Sequence, residues 1–337
     1  MEIGMRAIAL DDESRVAEVR RLAMNKARAI GFLETEVGRV AIVATELATN
    51  LLKHARQGEI LVSVVDDGDG AGVECLALDR GPGIPDVAVS MRDGHSTAGS
   101  AGSGLGAIAR QSHVLDIYSS KIHGSALLAR IYKGDPASSP RKPTPPTGVV
   151  CLPIAGEEAC GDAWSVKRTP GGLCVMVVDG LGHGPLAATA SHAAVMAFEA
   201  SEGAPSPELM QRLHTALRPT RGAAASVAAL PANSGAIAFV GVGNVAGAVV
   251  TATETKRMVS HNGTLGHALK TVQPFTYPAQ GEALVVLASD GLGTAWSLDS
   301  YPGLRLRHPS LIAGVLYRDF SRRRDDVTVL VARRLAA

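Results

Sequence analysis

The chain has 337 residues, 46% of them hydrophobic and 19% charged, with 33 Lys and Arg against 32 Asp and Glu for a formal charge of +1. At about 100–200 residues per domain this length predicts two or three domains. The balanced charge excludes nucleic-acid or anionic-membrane partners recruited by bulk electrostatics.

Aromatic residues are only 4%, so the predicted cores are aliphatic and rich in small residues. The start, MEIGMRAIALDDESR, lacks a basic segment followed by a long apolar run and does not read as a secretory signal. Apolar runs near Cys174 and Val285 are strand length, short of the roughly 20 residues a membrane span needs. Cys75, Cys151, Cys160 and Cys174 form no CxxC pair and read as reduced core or loop thiols. A soluble, cytoplasmic protein is expected.

In chain order, MRAIAL predicts a strand, followed by helix-period segments over 13–30 and 34–55. In the second, Val40, Val43, Leu47 and Leu51 mark a buried stripe. Strands are expected over 59–65 and 73–79, then a long Gly/Ser/Pro loop, a short helix over 105–111, and strands over 114–119 and 125–132. A helical layer on a mixed or antiparallel sheet fits this order. The stretch GDPASSPRKPTPPTG at 134–148 holds five prolines and two glycines, cannot supply core, and reads as an extended spacer. Domains are therefore expected over 1–133 and 149–337, with no internal repeat between them.

Three pieces of the first half carry chemistry. In VATELATNLLKHA, Glu46 and Asn50 lie four apart on one helix face. An Asn carbonyl can ligate Mg²⁺, and a Glu one turn away can act on a proton near the same phosphate. In LALDRGPGIPD, Asp79 ends a strand before Gly81 and Gly83; its carboxylate can accept from an exocyclic amine, and the glycines permit close backbone approach. In HSTAGSAGSGLGAIAR, Gly99, Gly102, Gly104 and Gly106 lead into a helix whose start offers N–H groups to phosphates. Singly, each piece also fits a bland reading: a surface helix, an ordinary turn, a glycine-rich loop.

In this order and spacing the three pieces resemble the nucleotide boxes of the GHKL ATP-binding fold, and most closely the RsbT-type anti-sigma regulatory serine kinases. Nearly all of 5–133 is covered. No phosphoacceptor-histidine helix precedes the boxes, as a sensor histidine kinase would require, and no transducer segment accompanies them. The resemblance implies that ATP is bound with Mg²⁺ on Asn50, that Asp79 reads adenine beside Gly81 and Gly83, and that Gly102, Gly104 and Gly106 close over the triphosphate. It implies that Glu46 orients or deprotonates the attacking serine hydroxyl. His54 fits a phosphate contact or a capping role equally.

The second half sets acids at strand ends: Asp162 in CGDAW, Asp179 and Gly180 in VMVVDGLGHGPLA, Asp290 in LVVLASDGLGTAW, and Asp325 and Asp326 in DDVTVLVAR. Two carboxylates about 4 Å apart repel by roughly 4 kcal/mol at an effective dielectric of ~20. Converging acids therefore need cations, and all-oxygen ligation suits Mg²⁺ or Mn²⁺. The layout over about 148–335 resembles the SpoIIE branch of the PPM metal-dependent Ser/Thr phosphatases, including the RsbX-like members. That resemblance implies two Mg²⁺ or Mn²⁺ ions bridged by Asp179, with the Gly180 carbonyl and Asp162, Asp290 and Asp325 completing the cluster and Asp326 a neighbour. His183 reads as a proton donor to the leaving serine or as a turn residue. Asn244, His261 and Asn262 read as elements near substrate access.

The predicted fold class is α+β with two domains: a GHKL α/β sandwich with helices on one face of a mixed sheet, then a PPM-type αββα sandwich. The implied function is a bifunctional partner-switching regulator, an ATP-dependent serine kinase joined to a phosphoserine phosphatase, acting on STAS-domain antagonist proteins of an anti-sigma pathway. The alternative is an ATP-sensing domain without kinase turnover that gates the phosphatase. Family kinases often pair, so a homodimer is left open.

Overall fold

The computed structural model describes residues 4–66, 70–91, 104–136, 147–232 and 235–334. It divides into two compact units, one comprising Met1–Pro145 with Leu298–Arg318, the other Pro146–Ser297 with Asp319–Ala337. The expected spacer lies mostly outside the described residues. The segment 298–318, expected in the second domain, is part of the first unit.

The first unit opens with β1 (Arg6–Ala9), α1 (Glu13–Ala29) and α2 (Glu34–His54). Asp12 caps α1, accepting from Ser14 N at 2.7 Å, and Glu36 accepts from Leu33 N at 2.7 Å at the start of α2. Each bond satisfies an N–H that the helix itself cannot. Strands β2 (Glu59–Asp66) and β3 (Ala71–Leu78) follow, then the short α3 (Val87–Ser90), α4 (Gly104–Gln111), β4 (Val114–Ser120) and β5 (Gly124–Tyr132). The strands form one five-stranded sheet in the order β1-β2-β3-β5-β4. Every ladder in it is antiparallel, which decides between the mixed and antiparallel alternatives.

One face of this sheet meets the stripe of α2. Val40, Val43, Leu47 and Leu51 pack with Ile60, Val62, Val73, Cys75, Leu127 and Ala129 in one core. Because side chains alternate across a strand, Leu76, Leu78 and Leu128 point to the opposite face, and they too are fully buried. Burying each stabilises by about 1.5–3 kcal/mol. Leu76 and Leu78 lie against Gly314, where a Cβ would come within 2.6 and 3.1 Å of them. The expected helical layer covers the first face, and residues 309–318 in addition cover the second.

The second unit contains β6 (Thr147–Leu152), β7 (Asp162–Thr169), β8 (Gly172–Gly180), α5 (Pro185–Glu199), α6 (Pro207–Leu217), β9 (Ala223–Pro231), β10 (Ala236–Val242), β11 (Ala246–Val250) and β12 (Thr255–Met258). After the two-residue strands β13 (Gly263–Thr264) and β14 (Ala268–Leu269) come β15 (Phe275–Pro278), β16 (Ala283–Ala288) and β17 (Val327–Arg334); the helix α7 (Pro309–Phe320), between β16 and β17 in sequence, lies in the first unit through Arg318. Two five-stranded sheets, β15-β10-β9-β8-β7 and β12-β11-β16-β17-β6, stack face to face. Val175, Val177 and Phe239 meet Val249, Val285, Leu287 and Leu330 between them. Helices α5 and α6 cover the outer face of the first sheet through Ala190, Ala194, Phe198, Leu209, Met210 and Leu213.

The expected αββα sandwich therefore has its two sheets and one helical layer within this unit. Helix α7 belongs to the first unit through Arg318. Amphipathic periodicity does not single this helix out, because it is buried almost all round, from Pro309 through Arg318.

Candidate active sites

The first site gathers on α2 and the end of β3. Glu46 and Asn50 are half-buried on α2, beside the fully packed Val43 and Leu47. Asp79 follows β3 and is buried. Its Oδ1 accepts from Gly81 N at 2.6 Å, its own N–H donates to Ser125 O at 2.9 Å, and its carbonyl accepts from Arg318 Nη1 at 2.6 Å. Burial pushes the Asp79 carboxyl above its ordinary range, partly offset by the Gly81 and Ser125 bonds and by the Arg318 charge.

The glycines here answer local crowding. A Cβ on Gly81 would stand 2.8 Å from Asp79 Oδ1, and Gly83 has φ +75 with Ser120 O 2.7 Å from where its Cβ would be. A left-handed backbone with no room for a side chain leaves glycine as the residue that fits. Gly104 and Gly106 lie in α4, whose Ile108 packs in the α2 core. Gly102 lies outside the described residues. His54 is exposed in the last turn of α2.

The second site is built at strand ends. Antiparallel pairing of β7 and β8 sets Asp162 directly opposite Asp179. Asp162 is buried, and its Oδ2 has no hydrogen-bond partner. Burial first, and then the charge of Asp179, pushes its carboxyl well above the usual range. Asp179 is pushed up to about 7 by burial and then by Asp290, Asp325 and Asp326. Gly180 donates to Gly161 O at 3.1 Å, and a Cβ there would run into the Ala187 carbonyl.

Asp290, just beyond β16, accepts from Asn244 Nδ2 at 2.7 Å. Asp325 Oδ1 accepts from Asp326 N at 2.9 Å. Both oxygens of Asp326 are engaged by backbone, Oδ1 by Ile154 N and Oδ2 by Gly161 N, each at 2.7 Å. His183 Nδ1 lies 2.8 Å from Glu157 Oε1. His261 bonds Gln273 O at 2.9 Å and stacks on Phe275, a loop-bracing arrangement.

Among the described residues no three His, Cys, Asp or Glu side chains close on one point as a finished metal cage. The acids nevertheless feel one another, and further closure would require a cation to cancel their repulsion. A partnerless buried carboxylate oxygen and raised carboxyls make this a donor set for a hard divalent ion. Asp162, Asp179, the Gly180 carbonyl, Asp290 and Asp325 could hold it. Glu157 was not legible from motif, since it sits in a loop with no repeating pattern. Arg318 carried no signal, since it meets Asp79 across 239 residues of sequence.

Comparison with known proteins gives one family match in each half of the sequence. Residues 8–130 match the histidine kinase-like ATPase domain family, and 169–335 match the Stage II sporulation protein E family. Over 95 residues, 28% of this chain and 71% of the relative, the sequence is 37% identical to serine/threonine-protein kinase RsbT of Bacillus subtilis (strain 168). A solved chain from the bacterial stressosome, a modular system adapted to control secondary messenger signalling, is 31% identical with a TM-score of 0.52, covering 55% of this chain and 97% of that one. RsbX solved with magnesium shares the fold at 24% identity and a TM-score of 0.50, over 56% of this chain and 94% of its own.

Fold, site and matches define the class: an enzyme of protein phosphorylation that joins a histidine kinase-like ATPase domain to a SpoIIE-type phosphatase domain. The chain belongs to the RsbT kinase family through the first of these, fused to a domain of the SpoIIE family. No helix among the described residues is long and apolar enough to cross a membrane.

Proposed function

We propose that the protein is a bifunctional partner-switching regulator that phosphorylates and dephosphorylates serine on STAS-domain proteins of an anti-sigma pathway. The observation that carries the phosphatase half is the opposition of Asp162 and Asp179 across β7 and β8, with a buried carboxylate oxygen left unbonded. Mg²⁺ or Mn²⁺, when bound, would supply charge neutralisation for the phosphate and an acidified water. Asp162, Asp179, the Gly180 carbonyl, Asp290 and Asp325 would hold these ions. Asn244 holds the Asp290 carboxylate in orientation. Asp326 holds the loop between Ile154 and Gly161 beside them.

In the first domain, Asp79 would accept from the adenine amine, Asn50 would hold Mg²⁺, and Glu46 would take the proton of the attacking serine hydroxyl. Gly81 and Gly83 would let the backbone approach the base, and the glycine run of Gly102, Gly104 and Gly106 would supply backbone N–H groups to the triphosphate. The added phosphate brings about −1.5 to −2 charges to its acceptor, enough to switch a small interface. A second reading, an ATP sensor that gates the phosphatase, is favoured by helix α7: its sequence lies within the SpoIIE match, yet it packs on the ATPase-domain sheet.

Incubation of the full chain with labelled ATP and a STAS protein separates the two. Label on serine, lost in Glu46→Ala, supports the kinase; ATP binding with no transfer supports the sensor. Dephosphorylation that persists in Asp179→Asn would overturn the metal-site assignment.

A further inference from the structure

Asp79, on which the adenine reading rests, is held from behind by the far end of the chain. Arg318 is buried, at 5% exposure, in the last turn of α7. A cation there suits its own helix dipole, but its guanidinium is spent elsewhere. Nη1 donates to the Asp79 carbonyl at 2.6 Å and to the Ser125 carbonyl at 3.3 Å. Ser125 O also accepts from Asp79 N, so one guanidinium clamps the two carbonyls where β3 ends and β5 begins.

The clamp is reciprocated and tight. The Arg80 guanidinium donates to the Arg318 carbonyl. Gly124, with φ +70, leaves no space for a Cβ beside the Asp79 carbonyl. Helix α7 is docked independently of this point: Ser310 Oγ donates to Glu74 Oε2 at 2.9 Å, Arg130 Nη2 donates to Ser310 Oγ at 2.9 Å, and Tyr317 OH reaches Glu59 at 3.2 Å. Burying a cation costs several kcal/mol unless it is answered by hydrogen bonds. Helix packing alone would be served as well by an apolar residue.

We infer that Arg318 is a positioning residue of the nucleotide site, fixing the Asp79 peptide so that its carboxylate selects adenine over guanine. The inference rests on Asp79 as the adenine reader. Adenine offers an exocyclic amine donor where guanine offers a carbonyl acceptor, so discrimination depends on where the carboxylate points. A displacement of about 1 Å in such a site can cost on the order of 100-fold.

The test uses the full chain, with ATP and GTP affinities measured by calorimetry in Mg²⁺ buffer. Arg318→Met should weaken ATP binding about tenfold and lower the ATP-over-GTP preference by about as much. Arg318→Lys, which keeps the charge but not the fork, should recover part of that preference and covers the case in which Arg318→Met fails to fold. Ser310→Ala, which loosens α7 away from Asp79, should lower the melting temperature yet leave the preference intact. An unchanged preference in both Arg318 variants, with Asp79→Asn losing it, would overturn the inference and spare the adenine reading. An unchanged preference in Asp79→Asn would instead remove the adenine reading itself. Loss of preference in Ser310→Ala equal to that in Arg318→Met would also overturn it, reducing Arg318 to a packing residue.

Discussion

The two sites treat buried carboxylates in opposite ways. In the first unit, Asp79 accepts from Gly81 N, and its own backbone is bonded on both sides by Ser125 and Arg318. Glu74, deeper in the same sheet, has Arg130 Nε at 2.7 Å and Ser310 Oγ at 2.9 Å. In the second unit, Asp162 keeps an oxygen with no partner, and Asp179 faces three further acids. A buried charge is tolerable when it is paired. The first unit carries its counter-charges within the chain, whereas in the second the proposed reading has a cation provide them.

The largest expected effect tests the second half of this contrast. Asp179→Asn should remove several kcal/mol of charge stabilisation from phosphate hydrolysis, on the order of 10³-fold in rate, read with a phosphoserine peptide. If the contrast is right, the same variant is at least as stable as the parent to heat without added metal, because a repelling charge is gone.

Next comes Glu74→Ala, which leaves the Arg130 guanidinium buried without its carboxylate. Breaking such a pair should cost about 3–5 kcal/mol in urea unfolding. Replacing both partners by apolar residues of similar volume should restore most of that loss. Equal damage from the single and the double change would mean that the pair is not what compensates the charge.

Asn244→Ala removes an outer support of Asp290 and should weaken Mn²⁺ activation by about 10–100-fold, measured as the half-saturating Mn²⁺ concentration. A shift in the rate at saturating Mn²⁺ with no shift in that concentration would argue for a role on the substrate instead.

The smallest effect is on stability against pH. A carboxyl whose folded-state pKa is raised is stabilising to the fold when protonated, so stability falls as pH rises from the unfolded value toward the folded one. For Asp179 that window runs from 3.8 to about 7, and Asp162 shifts in the same direction. Without added metal, the melting temperature should therefore fall as pH rises from 5 to 7.5. Stabilisation by Mn²⁺ should grow over the same range, since protons and the cation compete. A pH-independent Mn²⁺ effect would break the comparison between the two sites.

Much of this contrast is legible before folding. Acids at strand ends before a glycine turn, as at Asp179 and Asp290, mark themselves because the apolar run and the turn are both local. The same holds for Glu46 and Asn50, four apart on a helix whose stripe is plain. The partners are another matter. Nothing near Asp290 in sequence names Asn244, and nothing near His183 names Glu157. Helix α7 escapes notice because its apolar residues do not leave a polar face.

The sequence by itself determined most strand and helix segments of the first half, the strand-end acids and the glycines at Gly81 and Gly83, where sterics act between near neighbours. The tertiary structure decided the register that opposes Asp162 to Asp179, the covering of Leu76 and Leu78 by residues 309–318, and the grip of Arg318 on Asp79. Apolar alternation tells that a face of a strand must be buried, but not which distant segment will bury it. That choice depends on complementarity between surfaces that exist only once both have formed.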